Sequence, residues 1–276
     1  MSTPSLNSPS PRVQAVIFDW AGTVVDFGSR APVQAFVELF QRHGVALSVE
    51  QARGPMGMHK REHIRQLLLL PDVAAKWAAV HGQPSRGEDL DALYAEFIPL
   101  QTGIITHHGR VIPGVPELMQ ALGRRGIRTG STTGYTRAMM ADLIPAAAQQ
   151  GFAPEAIVCA DEVPTGRPAP WLALEALKRL NAYPVSACVK VGDTVADIDE
   201  GSNAGLWTVG VLLTGNEAGL SEEELAALNA PALEACRSAA GARLLHAGAH
   251  FVIDSAAGLV PTLDLIEDRL AHGRRP

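Results

Sequence analysis

Four places in the chain set chemistry-bearing side chains at or just beyond the ends of short apolar runs. Asp19 follows Val13-Gln14-Ala15-Val16-Ile17-Phe18 and opens Asp19-Trp20-Ala21-Gly22-Thr23. A second run ends in Ser131-Thr132-Thr133-Gly134, and a third leads into Gly166-Arg167-Pro168-Ala169-Pro170. A fourth ends in Gly192-Asp193-Thr194, with Asp197 close behind. A carboxylate, a hydroxyl, a fixed cation and further acids are what phosphoryl transfer through an aspartate needs. The carboxylate attacks phosphorus and forms an aspartyl phosphate. Mg²⁺ offsets the repulsion between that carboxylate and the phosphoryl oxygens. A hydroxyl, backbone N–H groups and an arginine hold the other oxygens. Singly, each residue has a plainer reading. Asp19 reads as a turn aspartate, Asp193 as a helix N-cap, Arg167 as a surface arginine, and Asp197 as an exposed helix acid beside Asp199 and Glu200. Their joint order along the chain favours the chemical reading.

Side chains so far apart in sequence meet if the runs that carry them lie side by side. Residues 13–18, 127–131, 156–159, 187–191 and 206–211 read as strands, with helical stretches over 115–125, 137–150 and 170–181. This alternation predicts a doubly wound α/β fold, a parallel sheet covered on both faces. Ligands in such sheets sit outside the carboxyl ends of the strands. Residues 28–108 break the rhythm with helical patterns and no convincing strand. Val33, Phe36, Val37 and Phe40 form the apolar stripe of one helix, which His43-Gly44 ends. Ser48 with Gln51 resembles a capping box for the next, residues 59–70 make a third, and two more precede Gly109. A segment of this length is too long for a loop and reads as a smaller inserted domain. The expected division is therefore a disordered tail over 1–11, an α/β core over 12–27 and 109–276, and a helical cap over 28–108. Gly28 and Gly109 flank the cap as hinges or as ordinary turn glycines. A helical excursion over 214–248 precedes a last strand near 250–253.

Composition narrows the function classes. The 276 residues carry a net charge of −6, so no global basic field points to nucleic acid or an anionic membrane. Cys159, Cys188 and Cys236 are widely spaced without a CxxC pair, which disfavours disulfide scaffolds and thiolate zinc sites and fits a reducing compartment. No apolar run approaches the roughly 18 residues of a membrane span. The first eleven residues lack the basic start and apolar stretch of a signal peptide, so the cytoplasm is the expected location. His107-His108 are adjacent and so do not face one metal site.

DWAGTVVD, STTG, GRPAP and VGDTVADIDEG resemble the four motifs of the haloacid dehalogenase superfamily of phosphohydrolases, and the insert resembles its cap domain. The resemblance implies Asp19 as nucleophile and Thr133, beside Gly134, as the motif-two hydroxyl, with Ser131 and Thr132 as alternatives. Arg167 stands where a lysine is usual. Asp193 binds Mg²⁺ with Asp19 and the backbone carbonyl of Ala21, and Asp197 supports the metal from behind. Most phosphatases of the superfamily have an acid two residues after the nucleophile to protonate the departing alkoxide. Here that residue is Ala21.

A carbon leaving group fits the missing acid. Breaking a P–C bond leaves a carbanion, which an iminium ion formed from an aldehyde and a lysine can absorb. The chain has four lysines, Lys60, Lys76, Lys178 and Lys190. Lys60 lies in the insert, in Met56-Gly57-Met58-His59-Lys60, with His63 on the same helical face. Neighbouring cations or apolar burial would lower its pKa and free the amine. DWAGT, PMGxxKxxH and GSTTGYTR resemble the phosphonate-hydrolysing branch of the superfamily. That resemblance implies hydrolysis of phosphonoacetaldehyde to acetaldehyde and phosphate, within 2-aminoethylphosphonate degradation. Lys60 forms the Schiff base, His63 shuttles protons, and Met56 and Tyr135 line the closed site. It also implies a homodimer joined through the caps. Some members carry Cys where this chain has Ser29. The rival readings are a Mg²⁺-dependent phosphate-ester hydrolase or mutase that does not use Lys60, and a non-catalytic phosphate-binding protein, against which the intact Asp19 argues.

Overall fold

The run Ala15–Phe18 forms strand β1, every residue of it buried. It belongs to a computed structural model in which residues 12–276 are described; the tail expected over 1–11 lies outside the described residues. Six α-helices follow before the next strand, the first five being α1 (Arg30–Arg42), α2 (Val49–Arg53), α3 (Lys60–Leu69), α4 (Pro71–His81) and α5 (Gly87–Ile105). Their ends follow from local chemistry. His43 caps α1 and Gly44 turns away with φ +74°. Ser48 and Gln51 make the reciprocal capping box of α2. The His59 ring accepts the Arg61 N–H at the start of α3.

The remaining elements are α6 (Val115–Arg124), β2 (Arg128–Thr133), α7 (Leu143–Gln149), β3 (Ala156–Cys159), α8 (Trp171–Leu180), β4 (Cys188–Gly192), α9 (Val195–Asn203) and β5 (Trp207–Val211). They end with α10 (Glu222–Ala226), α11 (Ala230–His246), β6 (Phe251–Ile253) and α12 (Leu259–Ala271). All strand pairs are parallel, in the order β3-β2-β1-β4-β5-β6. The strand period of two divides β1 between two cores. Val16 and Phe18 join Val189, Val191 and helices α6 and α12, while Ala15 and Ile17 join the buried face of α8. The doubly wound α/β fold is thus present. The apolar cluster on the first face runs without interruption into α1, α3 and α5, through Phe36, Leu67 and Phe97.

One helix differs from the sequence reading. The stretch expected over 137–150 is helical from Leu143. Pro145 is the third residue of that helix, in the first turn, where a missing N–H costs no intrahelical bond. Residues before it are held otherwise, the Arg137 N–H donating to Asp161 Oδ1 at 2.9 Å. Among the described residues, no helix is long and apolar enough to cross a membrane.

Candidate active site

The carboxyl ends of β2, β1 and β4 meet where the strand order departs in both directions from β1. Phe18 pairs with Ser131 on one side and Val191 on the other, so Asp19, Thr132 and Gly192 come next at one level. A cavity of about 20 Å³ opens there. Asp19 and Ala21 line it from the β1 loop, Thr133, Gly134 and Tyr135 from β2, and Arg167, Asp193 and Thr194 from the other loops. Residues 28–108 add Ser29, Met56, Gly57 and Lys60. Of the hydroxyls left open by the sequence, Thr133 lines the cavity, its oxygen accepting the Tyr135 N–H at 3.1 Å. Thr132 turns to the buried side, and the Ser131 hydroxyl is buried without a hydrogen-bond partner. The void is of the size of about one water.

Beneath Asp19 lies a buried charge network that the sequence reading did not contain. Arg167 pairs with Asp19 at 2.7 Å, Asp197 at 3.0 Å and Glu200 at 2.7 Å. Lys190, fully buried in β4, pairs with Asp197 at 2.8 Å and Glu200 at 3.2 Å. Both cations donate to the Thr132 hydroxyl at 2.9 Å. A signal was present: Lys190 interrupts the apolar strand Cys-Val-Lys-Val-Gly, and a charge inside a buried strand demands a counter-charge. Asp197 is therefore a buried acid whose role is to hold Arg167 and Lys190, not the exposed helix acid that was its rival reading. Replacing Lys190 with Met leaves Asp197 and Glu200 short of a cation. Breaking a buried pair in this way is expected to lower unfolding free energy by about 3–5 kcal/mol, measured by urea denaturation.

The acids fit a hard divalent cation. Asp19, Asp193 and Asp197 offer carboxylate oxygens all within 4.8 Å of one another. Burial, and then the charges of Asp19 and Asp197, push Asp193 well above the usual carboxylate range. Burial and the Asp197 charge push Asp19 up to about 6, against the pull of Arg167 and Lys190. Against its own burial, Asp197 is held below the usual range by Arg167 and Lys190. Asp19, Asp26, Asp193, Asp197 and Glu200 are buried acids, against the three buried cations Lys60, Arg167 and Lys190. An oxygen-only donor set with excess negative charge suits Mg²⁺. Asp197 already meets Arg167 and Lys190 through Oδ1 and Thr194 through Oδ2, so Asp19 and Asp193 are the carboxylates left to face a cation. Asp193 is braced by the Thr23 hydroxyl at 3.1 Å and the Asn216 N–H at 2.7 Å. Gly22, at φ +81°, must lack a side chain, since a Cβ there would strike the Asp193 carboxylate.

Lys60 is the one lysine of the four without an ion pair among the described residues. Lys76 pairs with Asp72, Lys178 with Glu175, and Lys190 with two acids. Its Nζ lies 4.9 Å from the Tyr135 ring centre and 5.6 Å from that of Phe36. Burial lowers its pKa to about 8, despite the opposing pull of Asp19. His63 does not line the cavity. Its ring stacks on Phe36 with centroids 3.8 Å apart, and Nε2–H donates to the Ala52 carbonyl at 2.9 Å. That bond fixes the neutral tautomer and leaves Nδ1 as a buried acceptor without a partner. Burial and then the Lys60 charge hold its pKa well below the ordinary value. The expected shuttle thus sits behind the cavity wall.

Around the linkers, Asp26 caps α1 by accepting the Arg30 and Ala31 N–H groups at 3.1 and 3.0 Å, which leaves Ser29, at φ +50°, facing the cavity. His108 meets Asp26 at 3.2 Å and His107 meets the Gly103 carbonyl at 3.0 Å, so the adjacent histidines face different partners. Gly28, at φ +82°, is required by close approach, since a Cβ would strike the Leu220 carbonyl; Gly109 has a negative φ of −75°.

Comparisons with known proteins show the family. Residues 13–205 match the family described as haloacid dehalogenase-like hydrolase. The chain is 48% identical over 264 residues to phosphonoacetaldehyde hydrolase of Paraburkholderia phytofirmans, covering 96% of this chain and 99% of the relative. It is 46% identical to the enzyme of that name from Vibrio cholerae, covering 98% of this chain and all of the relative. A crystal structure of a phosphonoacetaldehyde hydrolase-like protein from Oleispira antarctica superposes with a TM-score of 0.96 at 44% identity, covering 97% of each chain. A β-phosphoglucomutase of Clostridium difficile, at 18% identity and a TM-score of 0.67, shares the fold. The chain therefore belongs to the haloacid dehalogenase-like hydrolases and, within them, to the phosphonoacetaldehyde hydrolase family.

Proposed function

We propose that this protein hydrolyses the P–C bond of phosphonoacetaldehyde, giving acetaldehyde and phosphate, in the breakdown of 2-aminoethylphosphonate. The observation that carries the reading is the meeting of an unpaired, buried Lys60 amine and the Asp19 carboxylate in one cavity where the usual proton-donating acid is Ala21. The neutral Lys60 amine adds to the aldehyde carbon, and uptake of one proton from solvent lets water leave, giving a protonated imine. Asp19 attacks phosphorus, and the P–C bonding pair moves toward the imine nitrogen to give an enamine. No leaving-group oxygen forms, so no acid is needed at residue 21. The enamine is protonated on carbon, and water releases acetaldehyde and the free Lys60. A second water cleaves the aspartyl phosphate, restoring Asp19. Arg167, the Thr133 hydroxyl and the backbone N–H groups near Gly134 hold the phosphoryl oxygens. When bound, Mg²⁺ offsets charge between Asp19 and the phosphoryl oxygens.

A cavity of about 20 Å³ is too small for the substrate, so residues 28–108 act as a cap that lifts to admit it and returns Met56 and Lys60 over Asp19. The buried thiols Cys159 and Cys188 suit a reducing cytoplasm. Pairing of two chains through their caps is part of the same proposal, with a dimer mass in light scattering as its check. No nucleic-acid or membrane partner is proposed.

The test is product analysis. Phosphonoacetaldehyde should yield acetaldehyde and phosphate in equal amounts, EDTA should stop the reaction, and sugar phosphates should be poor substrates. Turnover of sugar phosphates that survives loss of Lys60 would favour the ester-hydrolase reading. The pH profile adds a signed expectation. With a pKa of about 8, roughly a tenth of Lys60 is neutral at pH 7, against well under a thousandth for an ordinary lysine. Imine formation should rise about tenfold per pH unit below 8 and level off above it.

A further inference from the structure

Arg53 ends α2, three residues before Met56 and seven before Lys60. Its guanidinium leaves the inserted helices and grips two other parts of the chain. Nη1 donates to the Gly28 carbonyl at 2.9 Å and to Asn216 Oδ1 at 3.1 Å, with longer contacts to the Ser29 and Asn216 carbonyls at 3.4 Å. Nη2 donates to the Gly219 carbonyl at 3.1 Å. Every one of these partners is a neutral oxygen, so the guanidinium works here as a shaped clamp whose fork a lysine ammonium cannot match.

The loop it holds stands directly behind Asp193. The Asn216 N–H donates to Asp193 Oδ2 at 2.7 Å, and Asn216 is buried. A Cβ on Gly215 would collide with the Asp193 side chain. The Thr214 hydroxyl donates to the Gly22 carbonyl at 2.9 Å, and the Thr214 carbonyl accepts the Gly28 N–H at 2.7 Å. One side chain thus joins the segment carrying Lys60, the linker leading into it, and the loop that orients Asp193. We propose that Arg53 is a positioning residue that couples seating of the Lys60 segment to the orientation of Asp193. Divalent-cation binding and imine formation at Lys60 then strengthen each other, and by linkage the two effects are equal in size. This rests on the function proposed above.

The test uses the whole protein with Mg²⁺ and acetaldehyde, which forms an imine without any phosphoryl transfer. Mg²⁺ dissociation constants are measured by calorimetry with and without acetaldehyde, and borohydride-trapped Lys60 is measured by peptide mass with and without Mg²⁺. In the unaltered protein, Mg²⁺ should increase trapping severalfold and acetaldehyde should tighten Mg²⁺ by the same factor. Arg53→Ala should weaken Mg²⁺ binding about tenfold, the scale expected for a group that orients a metal ligand, and should bring the coupling factor to one. Arg53→Lys, which keeps the charge and loses the fork, should fall between them and carries the test if Arg53→Ala does not fold. A merely structural arginine would lower Tm and leave the coupling factor as it was. An unchanged Mg²⁺ dissociation constant and coupling factor in the variant that folds overturns the proposal. So does an unaltered protein that traps acetaldehyde and binds Mg²⁺ independently of each other. An unaltered protein with no trapping at Lys60 removes the functional reading itself, and the inference with it.

Discussion

Lys60→Met is expected to lower kcat for P–C cleavage by at least about 10⁴-fold while raising Tm. The two effects share a cause. In the proposed reaction the amine supplies the electron sink without which a carbanion would have to depart, a barrier difference of at least roughly 5 kcal/mol. The same group is held with its pKa lowered to about 8 by burial. Below that pH the folded protein carries a cation it would rather not bury. The sign follows from proton linkage: the unfolded lysine keeps its proton up to about 10.4, so the folded state is penalised at pH 7 and the penalty disappears as pH rises from about 8 past the unfolded value. Methionine fills similar space without charge. It should stabilise the fold by on the order of 1–3 kcal/mol at pH 7, a rise of several degrees in Tm, and the gain should shrink toward pH 10. Kinetics with phosphonoacetaldehyde and calorimetric scans in Mg²⁺ at pH 7 and pH 10 check both halves. A Tm drop at pH 7 would contradict the electrostatic account of this lysine.

Asp19→Asn should remove phosphate release to a similar extent, at least about 10⁴-fold, because an amide does not attack phosphorus. Imine formation belongs to the other side of the cavity and should survive. Borohydride with phosphonoacetaldehyde should therefore still label Lys60 in this variant, and the label should accumulate with the phosphonate group attached. Loss of labelling together with loss of turnover would mean that the two halves of the reaction are not separable. The variant also removes one charge partner of Arg167, which keeps Asp197 and Glu200 as partners, so the fold should hold.

Local chemistry made much of this legible. Asp19, Thr133, Arg167 and Asp193 stood at the ends of apolar runs, and strands of a parallel sheet deliver their ends to one edge. The α2 start was written in Ser48 and Gln51, and β3 matched its apolar run residue for residue. What escaped was set by packing across the sheet. Lys190 was counted as one lysine among four, although its apolar strand neighbours signalled a buried counter-charge. Glu200 has no reading of its own in the sequence, because helix periodicity does not say which face meets a buried arginine. His63 shared a helical face with Lys60, yet spacing could not reveal that its Nε2 is committed to Ala52 and its ring to Phe36. Arg53 matched no motif, and nothing local marks a side chain whose partners are carbonyls far along the chain.

The most direct measurement of the central claim is borohydride treatment of the unaltered protein with and without phosphonoacetaldehyde, followed by peptide mass mapping and a phosphate assay. The account predicts inactivation that requires the aldehyde, with one covalent adduct on the peptide containing Lys60 and none on Lys76 or Lys178, both of which are solvent-exposed and ion-paired. Continued phosphate release from a protein that carries no adduct on Lys60 would contradict it.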